Sequence, residues 1–285
     1  MIELDNAPEL ADPIMIAAFE GWNDAGESAS GAIGHLDQVW QAKQLLSLSP
    51  DDYYDFQVTR PTVEIVDGET RKITWPTTRM TVCRPEGSER DIVLVHGIEP
   101  NMRWRAFCEE LLGVIRDLGI EQVVLLGALL ADAPHTRPVP VTASYSDPGA
   151  ARQFSIEPSR YEGPTGISGV LHDVFASAGI NTISLWAAVP HYVAQPPCPK
   201  GTLALLSGLE DILDLTLPQG DLPEQARAWE HGVDELASQD SEVADYVRSL
   251  EEQKDAAELP EATGEAIARE FERYLRRRGP KGGDS

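Results

Sequence analysis

Asp91-Ile92-Val93-Leu94-Val95, then a helical stretch from Arg103 to Leu118, then Gln122-Val123-Val124-Leu125-Leu126, is the part of the sequence on which the fold turns. The two flanking runs are almost wholly apolar, the pattern of strands buried on both faces. Between them Phe107, Leu111, Val114, Ile115 and Leu118 recur at helical spacing, and Gly119 stops the helix. Strand, crossing helix and strand form a βαβ unit, in which the two strands run parallel.

The same alternation extends outward. Ile14 to Phe19 reads as a strand, followed by the turn Glu20-Gly21-Trp22-Asn23 and a helix ending near Trp40. Asp24 and Glu27 have the spacing of a capping box. Leu45 to Leu48 is a further short strand. Downstream, Val141 to Tyr145 is a strand within the proline-rich stretch 129–165; Gly166 to Ala178 is a helix, Thr182 to Ala188 a strand, and Gly201 to Leu215 a helix. Such alternation predicts an α/β fold, a three-layer α/β/α sandwich with a mostly parallel sheet covered on both faces.

Two regions break the pattern. Thr62-Val63-Glu64-Ile65-Val66 and Arg71-Lys72-Ile73-Thr74-Trp75 flank Asp67-Gly68, which predicts an antiparallel hairpin excursion. From Asp221 the sequence is purely helical, with apolar stripes at Trp229, Val233 and Leu236, at Val243, Tyr246, Val247 and Leu250, and at Ile267, Phe271, Tyr274 and Leu275. Asp221 and Glu224 carry a second capping signal. The domain reading is a core over residues 1–217, a C-terminal helical extension over 218–278 and a disordered tail over 279–285. Arg276-Arg277-Arg278 suits the negative end of a helix dipole.

The 285-residue chain carries a formal charge of -24. Residues 221–285 hold 17 acids and 9 bases, so about two thirds of the excess lies in the core domain. Acidity spread in this way argues against nucleic-acid binding, which needs cations facing phosphates. Met1-Ile2-Glu3-Leu4-Asp5 lacks the basic start of a secretory signal, and the longest apolar stretch, Val123 to Ala131, is too short to span a bilayer. The expectation is a cytoplasmic protein that inserts into no membrane. Cys83, Cys108 and Cys198 form no C-x-x-C pair, so neither a disulfide framework nor a zinc site is expected.

Several segments, in order along the chain, resemble the proteasome assembly chaperone 2 family. They are Phe19-Glu20-Gly21-Trp22-Asn23-Asp24-Ala25-Gly26, Leu94-Val95-His96-Gly97-Ile98-Glu99-Pro100, Leu126-Gly127-Ala128, Gly163-Pro164-Thr165-Gly166-Ile167-Ser168-Gly169 and Ala188-Val189-Pro190-His191-Tyr192. The resemblance covers roughly residues 10–215, and the C-terminal helices look like those of the family's actinobacterial branch. It implies a core similar to nucleoside phosphorylases and a role in protein assembly, with proteasome subunits or another cytoplasmic protein as partner. It supplies no catalytic residues and no cofactor.

In open α/β sheets ligands bind beyond the carboxyl ends of the strands. Polar residues recur there: Glu20, Asn23 and Asp24 after the first strand, and His96, Glu99 and Arg103 in the βα unit. Asp132, His135 and Arg137 follow the next strand, Thr165 opens a helix, and His191 follows the last core strand. Parallel strands bring such groups to one edge, where glycine-flanked helix starts and Arg103 or Arg137 would suit a nucleoside, phosphate or carboxylate. Read structurally, the same residues are ordinary turns and solvated strand ends, and that reading outweighs a pocket because neither G-x-G-x-x-G nor a Walker loop is present. His96 and Glu99 are H-x-x-E spaced, but on a loop, and H-E-x-x-H is absent, so no metal is expected. Gly26-Glu27-Ser28-Ala29-Ser30 approaches a nucleophile elbow but ends in serine, and the His-Gly loop follows it instead of preceding it, which rejects an esterase. The sequence thus favours a non-enzymatic interaction protein, self-associating through symmetric contacts.

Overall fold

The computed structural model describes residues 9–68, 70–146, 161–193 and 195–258. Its centre is β1 (Ile14–Glu20), a seven-residue run buried almost throughout. β1 pairs in parallel with β6 (Ile92–Ile98) on one side and β7 (Gln122–Ala131) on the other, and β7 pairs in parallel with β9 (Asn181–Pro190). Antiparallel strands complete the periphery: β5 (Thr78–Cys83) and then β2 (Lys43–Ser47) beyond β6, and β8 (Val141–Tyr145) beyond β9. The seven-stranded order is β2-β5-β6-β1-β7-β9-β8.

Alternation along β1 assigns the layers. Ile14, Ile16 and Ala18 face a core built with α1 (Ser28–Val39) and α4 (Pro199–Leu213). Met15, Ala17 and Phe19 face the other way, toward α2 (Trp104–Asp117) and α3 (Ile167–Ser177). Phe19 and Phe107 meet edge-on at 5.8 Å, and each buried ring contributes on the order of 2–3 kcal/mol through removal from water. The three-layer α/β/α architecture is as the sequence predicts, with its parallel strands gathered at the centre.

The hairpin is also where it is expected. β3 (Thr62–Val66) and β4 (Thr70–Thr74) form a separate two-stranded sheet, and every residue in both strands is exposed. Strand β5 has no counterpart in the sequence reading. It sits between β2 and β6, so the hairpin is an insertion between two sheet neighbours.

Two helices of the extension are described, α5 (Leu222–Ser238) and α6 (Ser241–Glu258), which fold back as an arm. The third predicted helix and the tail lie outside the described residues. Two capping expectations change. Asp24 does cap α1, but its Oδ1 accepts from Ala29 N at 2.7 Å and Ser30 N at 3.2 Å, while Glu27 stands left-handed (φ 51°) before the helix. Asp221 caps α5 through its backbone carbonyl, not its side chain.

Candidate functional site

The parallel strands do send their carboxyl ends to one edge, but the eleven candidate residues there divide into four separate groups. In the first, His96 lies between Arg79 and Glu20. The Arg79 guanidinium donates to His96 Nδ1 at 3.0 Å, which leaves the ring proton on Nε2, 3.1 Å from Glu20. The contact with His96, aided by the charge of Arg79, holds the Glu20 carboxyl below its ordinary range against the opposing effect of burial. Glu20 and His96 border a groove of about 930 Å³ between α1 and the starts of α4 and α5, which Glu27, His35 and Asp221 also line.

The second group closes on itself. Glu99 Oε1 accepts from Ile167 N at 2.7 Å and from Asn23 Nδ2 at 3.3 Å. Asn23 is buried and presses on the start of α3: a Cβ on Gly166 would fall 1.9 Å from Asn23 Nδ2. Asp24 is also buried, with Oδ2 unpartnered, and burial pushes its carboxyl above the ordinary range. Thr165 stands exposed at the mouth of this group. These side chains fasten helix starts to strand ends.

Arg103 stands apart, left-handed before α2 and paired with Asp52. Neighbouring Asn101 accepts from Asp55 N and Thr59 Oγ1, both at 2.9 Å, so this corner anchors the loop leading to the hairpin.

Asp132, His135, Arg137 and His191 form the last group, and they hold the arm. His135, only 1% exposed, donates from Nε2 to Asp234 at 2.9 Å and accepts at Nδ1 from the Tyr192 hydroxyl at 2.7 Å. Burial, reinforced by nearby acids, pushes Tyr192 up to about 12, so that hydroxyl keeps its proton. Arg137 pairs with Glu251 at 3.2 Å and Asp255 at 2.8 Å, and Lys200 pairs with Glu230. Asp132 receives the Tyr246 hydroxyl at 3.1 Å and faces His191 at 3.2 Å. In each His, Arg or Lys pair with the arm, the core supplies the base and the arm the acid. The partners Tyr192, Lys200 and Asp234 were not among the sequence candidates; both arm and core are net acidic, so overall charge gave no signal of these pairs.

Apolar side chains also stand exposed around this edge. Trp22 after β1 is 61% exposed and Leu130 at the end of β7 is 54% exposed, and Leu129 and Met102 are exposed too. Among the described residues no cluster of three or more His, Cys, Asp or Glu could hold a metal, and no helix is long and apolar enough to cross a membrane.

Solved structures share the fold. The chain is 60% identical to a PAC2 family protein from Streptomyces avermitilis, with a TM-score of 0.78 over 83% of this chain and 100% of that one. It is 54% identical to a proteasome-assembly chaperone homologue from Mycobacterium tuberculosis, with a TM-score of 0.76 over 82% and 99%. An archaeal proteasome activator from Pyrococcus furiosus, 19% identical with a TM-score of 0.64 over 80% and 95%, shares the fold alone. Comparison with curated proteins gives no match. The PAC2 family model matches residues 18–237, a span that runs from the central strand through both helical layers to the first arm helix, and the chain belongs to that family.

Proposed function

We propose that this chain is a non-enzymatic, assembly-chaperone-like protein of the cytoplasm whose partners are proteasome subunits. One observation carries the reading: at the strand carboxyl edge most polar candidates are committed to internal bonds, while Trp22, Leu129, Leu130 and Met102 stand exposed. Exposed apolar side chains suit recognition of a protein surface, not the orientation of a reacting substrate. Family membership and the similarity to a proteasome-assembly chaperone homologue point to the partner class.

The test is to mix the purified chain with proteasome α and β subunits from the same cell and follow co-elution by size-exclusion chromatography. Complex formation is expected, with binding about tenfold or more weaker for Trp22→Ala combined with Leu130→Asp. Failure of the unmodified chain to bind either subunit would refute the proposal.

A further inference from the structure

The two arm helices are held in different ways. α5 is built into the core: Leu222 is buried in the layer of α1 and α4, and Trp229 packs against it. α6 follows across Gln239-Asp240, where Asp240 Oδ1 accepts from Glu242 N at 2.9 Å and starts a new helix. Its Val247 and Leu250 are buried, but neither joins the core on either side of the sheet. What holds α6 is a polar seat at the ends of β7 and β9. The Arg137 guanidinium forks onto Asp255, both contacts at 2.8 Å, and reaches Glu251 at 3.2 Å, to which Thr136 also donates. The Tyr246 ring stands edge-on to His191 at 5.6 Å and to Tyr192 at 6.0 Å, and its hydroxyl donates to Asp132. The Asp255 side chain is 52% exposed, and an ion pair this open adds little to the hold on the helix.

We infer that the seat beneath α6 is a docking site for an acidic amphipathic helix of a partner protein, and that α6 fills it in cis until such a helix displaces it. The chemistry of the seat selects the occupant. A guanidinium fork beside a threonine hydroxyl takes two carboxylates one turn apart, as Glu251 and Asp255 are, and the His191–Tyr192 slot takes an aromatic ring whose hydroxyl reaches Asp132. Between them the helix presents aliphatic side chains, as Val247 and Leu250 do here, which is the pattern of a helix laid in a groove. The seat also adjoins the exposed end of β7: Asp132 follows Leu130 by two positions, and His191 N donates to Ala131 O at 3.1 Å. The inference stands on this geometry and not on the identity of the partner proposed above.

Hydrogen exchange of the full wild-type chain tests whether the seat opens. Amides of α6 should exchange about tenfold or more faster than those of α5, and faster still than those of β1. Protection of α6 equal to that of β1 would make it an integral part of the core and overturn the inference.

Fluorescence anisotropy tests what the seat takes. The probe is a labelled peptide of residues 241–258, with six acids against two bases, and a chain of charge -24 repels it everywhere except at a complementary site. Tyr246→Ala, Leu250→Asp and Asp255→Ala together release α6 without altering the seat, and unchanged exchange in β1 and β6 checks that the core is intact. This triple variant should bind the peptide about tenfold or more tightly than the wild type, in which a tethered helix competes for the seat. Adding Arg137→Ala should reverse the gain, and a scrambled peptide of the same composition should not bind. No binding by the triple variant, equal binding by the wild type, or equal binding of the scrambled peptide would each overturn the inference.

Discussion

The Glu99 carboxylate accepts the backbone N–H of Ile167 at 2.7 Å, so an acid at the end of β6 caps a helix that begins 68 residues later. A carboxylate on the first N–H groups of a helix satisfies an orphan donor and complements the helix dipole. Glu99→Ala should cost about 1–2 kcal/mol, the usual loss for an N-terminal cap, and lower the melting temperature by several degrees. Glu99→Gln should recover part of it. Urea denaturation of both variants is the measurement, and equal stability of all three proteins would remove Glu99 from this role.

Gly166 answers to the same contact from the other side. Any Cβ there collides with Asn23 Nδ2. Gly166→Ala should destabilise by about 1–3 kcal/mol, the range for overpacking a filled interior. Gly166→Ala combined with Asn23→Ala should cost less than the two single changes summed, because the second removes the obstacle.

His135 should act as the latch of the arm. Removing its ring takes the imidazole partner from Asp234 and leaves the Tyr192 hydroxyl only the His135 backbone N–H, at a cost of about 1–2 kcal/mol. His135→Ala should speed hydrogen exchange in Leu222–Ser238 while leaving β1 and β6 protected. Loss of protection across the whole protein would make His135 a core residue instead.

Two aspartates should tilt the pH dependence in opposite senses. Arg84, donating to Asp91 at 2.9 and 2.7 Å, holds that carboxyl below its ordinary range. Its stabilisation is complete above about pH 4 and is lost as pH falls through the lowered folded value. Asp24 is raised by burial, so the folded state binds its proton more tightly and stability from this group falls as pH rises through its folded value. Asp91→Asn should flatten the acid-side loss of stability, and Asp24→Asn should raise the melting temperature more at pH 7 than near pH 4. Profiles superimposable on the wild type would contradict both assignments.

The βαβ unit from Ile92 to Ala131 and the hairpin were legible because each is decided locally, by helical spacing in one and by Asp67-Gly68 in the other. Strand β5 was not. Its burial depends on β2 and β6 arriving on either side, and Thr78-Arg79-Met80-Thr81 carries no continuous apolar run. The candidate residues divide into separate groups for a similar reason. Asp132, His135, Arg137 and His191 do lie at strand ends, but the arm returns from beyond residue 221 to occupy them, and a sequence does not state where a distant helix comes to rest.

Leu48 N donates to Thr78 O at 2.9 Å, which pins together the points where the hairpin insertion leaves and rejoins the sheet. Closing a longer or shorter excursion between fixed ends changes the entropy only logarithmically. The exposed hairpin within it, Thr62 to Thr74, is thus a cassette: its length and side chains are free to be rewritten while the seven-stranded frame keeps its register. Divergence in what such a protein grips then needs edits to the exposed hairpin alone, with no renegotiation of the core.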